Sequence, residues 1–157
     1  MTDTHQPSPH QPPPQPCADN PNIATLDRGY RRWRETKGGS ADELLELFGD
    51  EVEMRTVLTP NLPTPLAGTR RTKAEAKAYF EALAAEWEMI DYEVDRFVGD
   101  ADDIVMVGRC HWRHRATGGE VDTPKVDVWH FENGKVASFL EMFDSLGFAR
   151  AIGAIPG

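Results

Sequence analysis

Residues 123–144 carry the strongest structural signal in this chain, two alternating segments that meet at Asn133-Gly134. An Asn-Gly pair is favoured at the centre of a two-residue hairpin turn, because both central positions of that turn need a positive φ. Apolar and polar residues alternate on either side, and successive side chains of a strand point to opposite faces of a sheet. The segment is therefore predicted to form a β-hairpin with one face against the core.

One face of this hairpin combines charged and aromatic side chains. The alternation places on it Lys125, Asp127, Trp129, Phe139, Glu141 and Phe143. Carboxyl groups among aromatic rings are costly to bury unless they are paired or protonated, and burial and mutual repulsion raise their pKa. The pattern indicates a pocket wall with an acid and a base that act near neutral pH. The alternative is a structural ion pair of Lys125 with Asp127 or with Glu141.

Length and charge limit the class of protein. The 157 residues are a one-domain length, and the net charge of −9 argues against nucleic acid, whose binding needs a basic surface. No apolar stretch approaches the roughly 20 residues of a membrane span, and no basic start precedes an apolar run, so a cytoplasmic protein without membrane contact is expected. The two cysteines, Cys17 and Cys110, lack paired Cys or His neighbours, which predicts neither a zinc site nor a disulfide framework.

The order of elements predicts an α+β fold. Residues 1–21 are rich in Pro and Gln and are predicted to be a disordered tail before a single domain, residues 22–157. Three helices are expected: residues 23–33, a short helix capped by Ser40 with Glu43 in a capping box and ended by Gly49, and a long helix from Thr72 to about Trp87. The inner stripe of the long helix is predicted to hold Ala76, Tyr79, Phe80, Leu83 and Trp87. Strands are expected over residues 51–57, 90–98, 104–115, 121–131 and 136–143. This order favours a curved antiparallel sheet packed on one face by helices.

Two registers are open for the strands that flank residues 117–120. A two-residue turn at Gly118-Gly119 pairs Trp112 with Lys125, Cys110 with Asp127 and Gly108 with Trp129. A three-residue loop shifts the register by one and places Arg109 and His111 opposite Asp127. The second register would strengthen His111 as a candidate base.

Tyr30, Trp33 and Cys110 are further pocket candidates. Tyr30 and Trp33 recur on the apolar stripe of the first helix, where Tyr30 is either a packing residue or a hydroxyl donor at the end of a pocket. Cys110 shares the face of Asp127. A neighbouring carboxylate and apolar surroundings raise the pKa of a thiol, so a small packing residue is favoured there over a nucleophile.

Residues 22–150 resemble the nuclear transport factor 2-like superfamily. The likeness rests on VDVWHFENGKVASFLEMFD, on the earlier FGDEVEMR and on Gly68 before the long helix. The resemblance implies a cone-shaped curved antiparallel sheet packed on its concave face by about three helices, as in cystatin-like folds. The superfamily includes ketosteroid isomerases, SnoaL-like polyketide cyclases and limonene epoxide hydrolases, and this chain is most similar to the uncharacterised SnoaL-like group.

The resemblance also implies roles for individual residues. Asp127 matches the aspartate that ketosteroid isomerases use in the oxyanion hole and SnoaL-like cyclases as acid/base, and Tyr30 falls near the isomerases' oxyanion tyrosine. The isomerase base would fall at Met54 or Arg55, neither of which abstracts a proton. Glu141 stands where limonene epoxide hydrolases have a catalytic aspartate, but that family's arginine and second aspartate are replaced here by Gly108 and Cys110.

The leading hypothesis is a cofactor-free and metal-free isomerase-, cyclase- or dehydratase-like enzyme for a small hydrophobic carbonyl compound. Its catalytic residues would be Asp127, Glu141, Tyr30 and Lys125. Its substrate-binding residues would be Trp33, Met54, Arg55, Cys110, Trp112, Trp129, Phe139 and Phe143. The alternative is a non-catalytic ligand-binding or dimerisation module. In either case a homodimer is expected through the outer sheet face, which carries His111, Leu140 and Met142.

Overall fold

The computed structural model describes residues 19–157, which form four helices and six strands. The helices are α1 (Pro21–Glu35), α2 (Ala41–Leu45), α3 (Lys73–Glu86) and α4 (Ser145–Ala151). The strands are β1 (Phe48–Thr56), β2 (Arg70–Thr72), β3 (Trp87–Asp100), β4 (Asp103–His114), β5 (Glu120–Glu132) and β6 (Lys135–Met142). Across this part of the chain, no helix combines the length and the apolar character needed to cross a bilayer.

The six strands form one curved, mostly antiparallel sheet in the order β2-β1-β6-β5-β4-β3. The α+β prediction is confirmed, with one difference in strand direction. β1 and β6 pair in parallel, because the chain crosses through α3 and the meander before β6 returns beside β1. The predicted hairpin joins β5 and β6, with φ of 50° at Asn133 and 76° at Gly134.

Helix α1 begins at Pro21, one residue before the predicted domain boundary. Asn20 caps it, since its side chain accepts hydrogen bonds from the backbone N–H groups of Asn22 and Ile23. Its predicted apolar stripe is buried and consists of Ile23, Leu26, Tyr30 and Trp33. The rest of the predicted tail, residues 1–18, lies outside the described residues.

The predicted starts of α3 and α2 had different outcomes. Thr72 opens α3 as predicted, and as its N-cap it accepts a hydrogen bond from Glu75 N at 3.2 Å. The capping box at Ser40 is wrong, because its hydroxyl caps nothing and is buried without a hydrogen-bond partner. Glu43 instead accepts from the Arg32 guanidinium at 3.0 and 3.2 Å. Helix α2 ends at Leu45, and Gly49 lies in β1 rather than ending the helix.

Helix α4 adds a fourth helix to the three predicted. Asp144 caps it and accepts a hydrogen bond from Gly147 N at 2.9 Å. Phe148 anchors it by stacking on Trp87 with ring centroids 4.8 Å apart. A seven-residue helix with a glycine inside has too short a periodic pattern to be recognised from sequence.

Both predicted registers between β4 and β5 are wrong. Asp127 lies opposite Met106, and Lys125 lies opposite Gly108. The turn lies earlier in the chain than predicted. The backbone N–H of His114 already donates to the carbonyl of Gly119, and of the predicted turn residues Gly118 and Gly119 only Gly118 has a positive φ. The two-residue-turn prediction placed Cys110 opposite Asp127, whereas the structure places Met106 there, four residues earlier on β4. An even shift keeps every side chain on its predicted face.

Candidate active site

Helices and sheet enclose a cavity of about 80 Å³ whose wall is mostly aromatic. A single water needs roughly 10–15 Å³ by this measure, so the cavity has room for roughly five to eight waters. The structure brings to its wall ten of the predicted site residues: Tyr30, Trp33, Cys110, Trp112, Lys125, Asp127, Trp129, Phe139, Glu141 and Phe143.

Met54 and Arg55, also predicted to bind substrate, do not line this cavity. Met54 is buried in the core, where β1 places it beside Phe139 of β6. Arg55 follows it on β1 and therefore points to the opposite face, where its Nε lies 3.1 Å from Oε1 of Glu53. The structure gives neither residue a contact with the cavity.

Three charged side chains meet on the cavity wall. Lys125, Asp127 and Glu141 are only 7%, 1% and 6% exposed. Lys125 Nζ lies 2.6 Å from Oε2 of Glu141 and 3.1 Å from Oδ1 of Asp127. Lys125 shares a face with Asp127 two residues along β5, and Asp127 pairs directly with Glu141 on β6. Both ion pairs considered from the sequence are therefore formed, and they lie in a cavity.

Two tyrosines donate to Asp127. Tyr30 Oη lies 2.5 Å from Oδ2 of Asp127, and Tyr92 Oη lies 3.3 Å from the same oxygen. Trp129 orients the first of them, since its indole Nε1 donates to Tyr30 Oη at 2.9 Å. The structure thus places Tyr30 as a hydroxyl donor rather than only as a packing residue.

A third tyrosine is hydrogen-bonded to Glu141. Tyr79 of α3 is buried, and its hydroxyl donates to Oε1 of Glu141. Sequence reasoning had placed Tyr79 on the inner stripe of the helix but had assigned it no polar contact. Helical spacing shows which face Tyr79 occupies, whereas its partner on β6 is 62 residues away in sequence.

Tyr92 was missed because a β-bulge changes the alternation of β3. Met89 pairs with Trp112 and Asp91 with His111, so Ile90 is an extra residue in β3. The extra residue reverses the face of the sheet to which each following side chain of β3 points. Met89 and Tyr92 therefore both point inward, although they are three residues apart and simple alternation would separate them.

The environment keeps Asp127 more protonated than an ordinary carboxyl. Burial raises its pKa; Lys125 opposes that shift and Glu141 adds to it. Burial would lower the pKa of Lys125, but attraction to Asp127 and Glu141 outweighs it and the pKa is raised. With one cation between two carboxyls, a single retained proton makes the cluster neutral.

One oxygen of this cluster has no hydrogen bond. Asp127 Oδ1 is buried and accepts none, although the Lys125 ammonium lies near it. Its other oxygen already accepts from Tyr30. A proton on Oδ1 would provide a donor for an oxygen atom of a ligand in the cavity.

The other candidate nucleophiles and bases are unsuited to this role. Burial raises the pKa of Cys110 to about 11, which keeps the thiol protonated and weakly nucleophilic. His111 lies on the outer face, with Nε2 2.8 Å from Oε2 of Glu120. His130 also lies away from Asp127 and contacts Asp103 at 2.7 Å. Within residues 19–157, no group of three or more His, Cys, Asp or Glu side chains is arranged to hold a metal ion.

Arg70 holds the loop that covers one side of the cavity. Its Nη1 donates to the carbonyls of Leu66, Ala67 and Gly68 at 3.1, 2.9 and 2.9 Å, and its Nη2 donates to that of Pro65. Its guanidinium also lies 5.0 Å from the ring centroid of Tyr79. Leu66 is thereby placed in the cavity wall.

We expect Arg70→Leu to loosen this loop, because four carbonyl oxygens lose a shared donor. Amide hydrogen exchange in residues 61–69 should be faster by about tenfold or more, since a hydrogen bond to a charged group is worth about 1.5–3 kcal/mol. Arg71→Leu is the matched control, because that side chain is 72% exposed and bonds none of these carbonyls. Equal exchange rates in the two variants would contradict this role of Arg70.

Comparison with known proteins is consistent with this architecture. A family model for the SnoaL-like domain matches residues 27–139. An NTF2-like protein of unknown function from Burkholderia pseudomallei is 23% identical, with 83% of this chain and 96% of that chain covered and a TM-score of 0.73. TerC, co-crystallised with polyporic acid, is 20% identical, with coverage of 85% and 99% and a TM-score of 0.70. A protein with a ketosteroid isomerase-like fold from Catenulispora acidiphila, in complex with trimethylamine, is 9% identical, with coverage of 85% and 94% and a TM-score of 0.66. No curated protein matches the chain.

Proposed function

We propose that this chain, which belongs to the SnoaL-like domain family of the nuclear transport factor 2-like superfamily, is a cofactor-free acid/base enzyme for a small hydrophobic carbonyl compound. The observation that carries the proposal is Asp127. It is a buried carboxyl of raised pKa, and one of its oxygens has no hydrogen bond on a cavity wall otherwise made mostly of aromatic rings. Perturbed titratable groups in an apolar cavity are typical of catalytic sites.

The proposed reaction is proton transfer next to the carbonyl. Protonated Asp127 donates a hydrogen bond to the carbonyl oxygen, and Glu141 accepts the proton from the α-carbon. The C–H bond breaks, its electrons form the C=C bond of an enol or enolate, and negative charge grows on the oxygen. Lys125 and the Asp127 hydrogen bond stabilise that charge. Return of the proton to a different carbon would complete an isomerisation.

Several features support an organic ligand of this kind. The mostly aromatic wall offers the apolar contact that is typical of small-molecule sites. Three buried tyrosines have pKa values raised by burial and by the nearby carboxylates, so they stay protonated and keep the carboxyl groups in place. TerC, whose fold is similar, was co-crystallised with an organic acid, polyporic acid.

The direct test is hydrogen exchange at the α-carbons of cyclohexanone in D₂O, followed by ¹H NMR. The enzyme should accelerate loss of the α-proton signals above the rate in buffer alone. The competing function, a ligand-binding module, predicts that cyclohexanone shifts the protein's own resonances while its α-protons exchange at the buffer rate.

We also propose that the outer sheet face binds a second copy of the chain. This face carries an apolar patch of Val105, Val107, Val126, Val128, Leu140 and Met142, which are direct partners across β4, β5 and β6. Met142 is 37% exposed and the other five are half-buried. A contiguous apolar patch is typical of an interface.

Val128→Lys should convert this dimer to a monomer, measured by light scattering after size-exclusion chromatography. In a two-fold interface the change places two ammonium groups in one apolar contact, which is costly. Leu146→Lys is the matched control, since Leu146 is 52% exposed on α4 and outside the patch. A native protein that is monomeric at high concentration, or a Val128→Lys variant that stays dimeric, would contradict this interface.

A further inference from the structure

We propose that the indole N–H of Trp87 is a second polar anchor in the cavity, and that the ligand carries a hydrogen-bond acceptor at the end remote from Asp127. The inference rests on the proposed function and narrows the ligand class. The ligand would be a ring compound with a carbonyl or hydroxyl oxygen at one end and an acceptor, such as an ether or second carbonyl oxygen, at the other.

The first observation is an unsatisfied donor. Trp87 lines the cavity and is only 2% exposed, and its Nε1–H has no hydrogen-bond partner among the described residues. Its ring is held by Phe148 on α4 and by His114, with centroids 4.8 and 5.0 Å away. Leaving a buried N–H unpaired is unfavourable, so an acceptor that fills the cavity beside it would be bound more tightly.

The second observation is that other donors of the cavity are already engaged. The hydroxyls of Tyr30 and Tyr92 donate to Asp127, and that of Tyr79 donates to Glu141. The Trp129 indole donates to Tyr30. The indole of Trp87 differs from all of these, because it remains free for a ligand.

The third observation is position. Trp87 begins β3, and Tyr92, whose hydroxyl reaches Asp127, lies five residues further along the same strand. The Trp87 donor and the acid/base cluster therefore belong to different parts of the cavity wall. The bulge at Ile90 turns both side chains inward. A ligand contacting both therefore needs a polar group at each end.

The test uses two phenols of similar shape and acidity, 4-methoxyphenol and 4-ethylphenol, which resemble an enol. Only the first has an acceptor opposite its hydroxyl. Isothermal titration calorimetry should show that the native protein binds 4-methoxyphenol more tightly. Trp87→Phe keeps an aromatic ring but removes the donor. It should lower the affinity for 4-methoxyphenol by about fivefold and change the affinity for 4-ethylphenol by less than about twofold.

Trp112→Phe is the matched control, because it makes the same chemical change at another tryptophan of the wall. It should alter the binding of both phenols to the same degree. The inference is overturned if Trp87→Phe affects both phenols equally or neither, if Trp112→Phe reproduces the selective loss, or if the native protein does not bind 4-methoxyphenol. The proposed function fails separately, when cyclohexanone exchange stays at the buffer rate while the selective phenol binding persists.

Discussion

Asp127→Asn should slow the enzyme-dependent α-exchange of cyclohexanone by about 10²–10⁴-fold, the usual contribution of a positioned acid or base. The amide has nearly the shape of the acid and still accepts from Tyr30, but its N–H is a much weaker acid than a carboxylic O–H, so it stabilises the growing negative charge on the substrate oxygen less well. The cluster also remains neutral, because Lys125 keeps Glu141 as its partner at 2.6 Å. We therefore expect 4-ethylphenol to bind the variant within about threefold of the native affinity, since an apolar ring depends mainly on the aromatic wall.

The same prediction has a pH dependence. If protonated Asp127 is the acid, the exchange rate of the native enzyme falls as pH rises through the pKa of that carboxyl. Burial raises this pKa, so the fall occurs at higher pH than for an ordinary aspartate. Glu51→Gln, an exposed carboxyl on β1, is the control for a change in charge alone. An unchanged rate in Asp127→Asn would refute the assignment of Asp127 as the acid.

Lys125→Met should lower the free energy of unfolding by about 3–5 kcal/mol at pH 8, because it leaves two buried carboxyls without their cation. The loss should be smaller at pH 5. Without Lys125, nothing opposes the effect of burial, so the pKa of Asp127 rises further above its unfolded value and the folded variant binds more protons than the unfolded chain. Its stability then increases as pH falls.

Urea unfolding at pH 5 and pH 8 measures this difference. Lys77→Met is the control: its Nζ lies 4.0 Å from Glu81 on the surface of α3, and exposed pairs contribute about 0–1 kcal/mol. A Lys125→Met variant as stable as the native protein at pH 8 would show that the lysine is not needed to bury the pair. A loss that is equal at both pH values would show that packing of its stem, rather than its charge, is what matters.

Much of the acid/base face could be predicted from alternation alone. Lys125, Asp127 and Glu141 were assigned to one face, and Lys125 Nζ lies within 3.1 Å of a carboxylate oxygen of each of the other two. That assignment survived an incorrect register, since the error was an even number of residues. The tyrosines were harder to predict. Tyr79 was on the expected helix face without a partner, and Tyr92 follows a bulge that no local pattern revealed.

Side-chain alternation and turn chemistry are local properties of the backbone, so the sequence by itself determined the hairpin at Asn133-Gly134, the stripe of α1 and the face on which Asp127 lies. Register, bulges and hydrogen bonds between distant residues depend on how the whole sheet closes and packs. Only the tertiary structure therefore decided that Met106 faces Asp127, that Tyr30 and Tyr92 share one of its oxygens, and that α4 places Phe148 against Trp87.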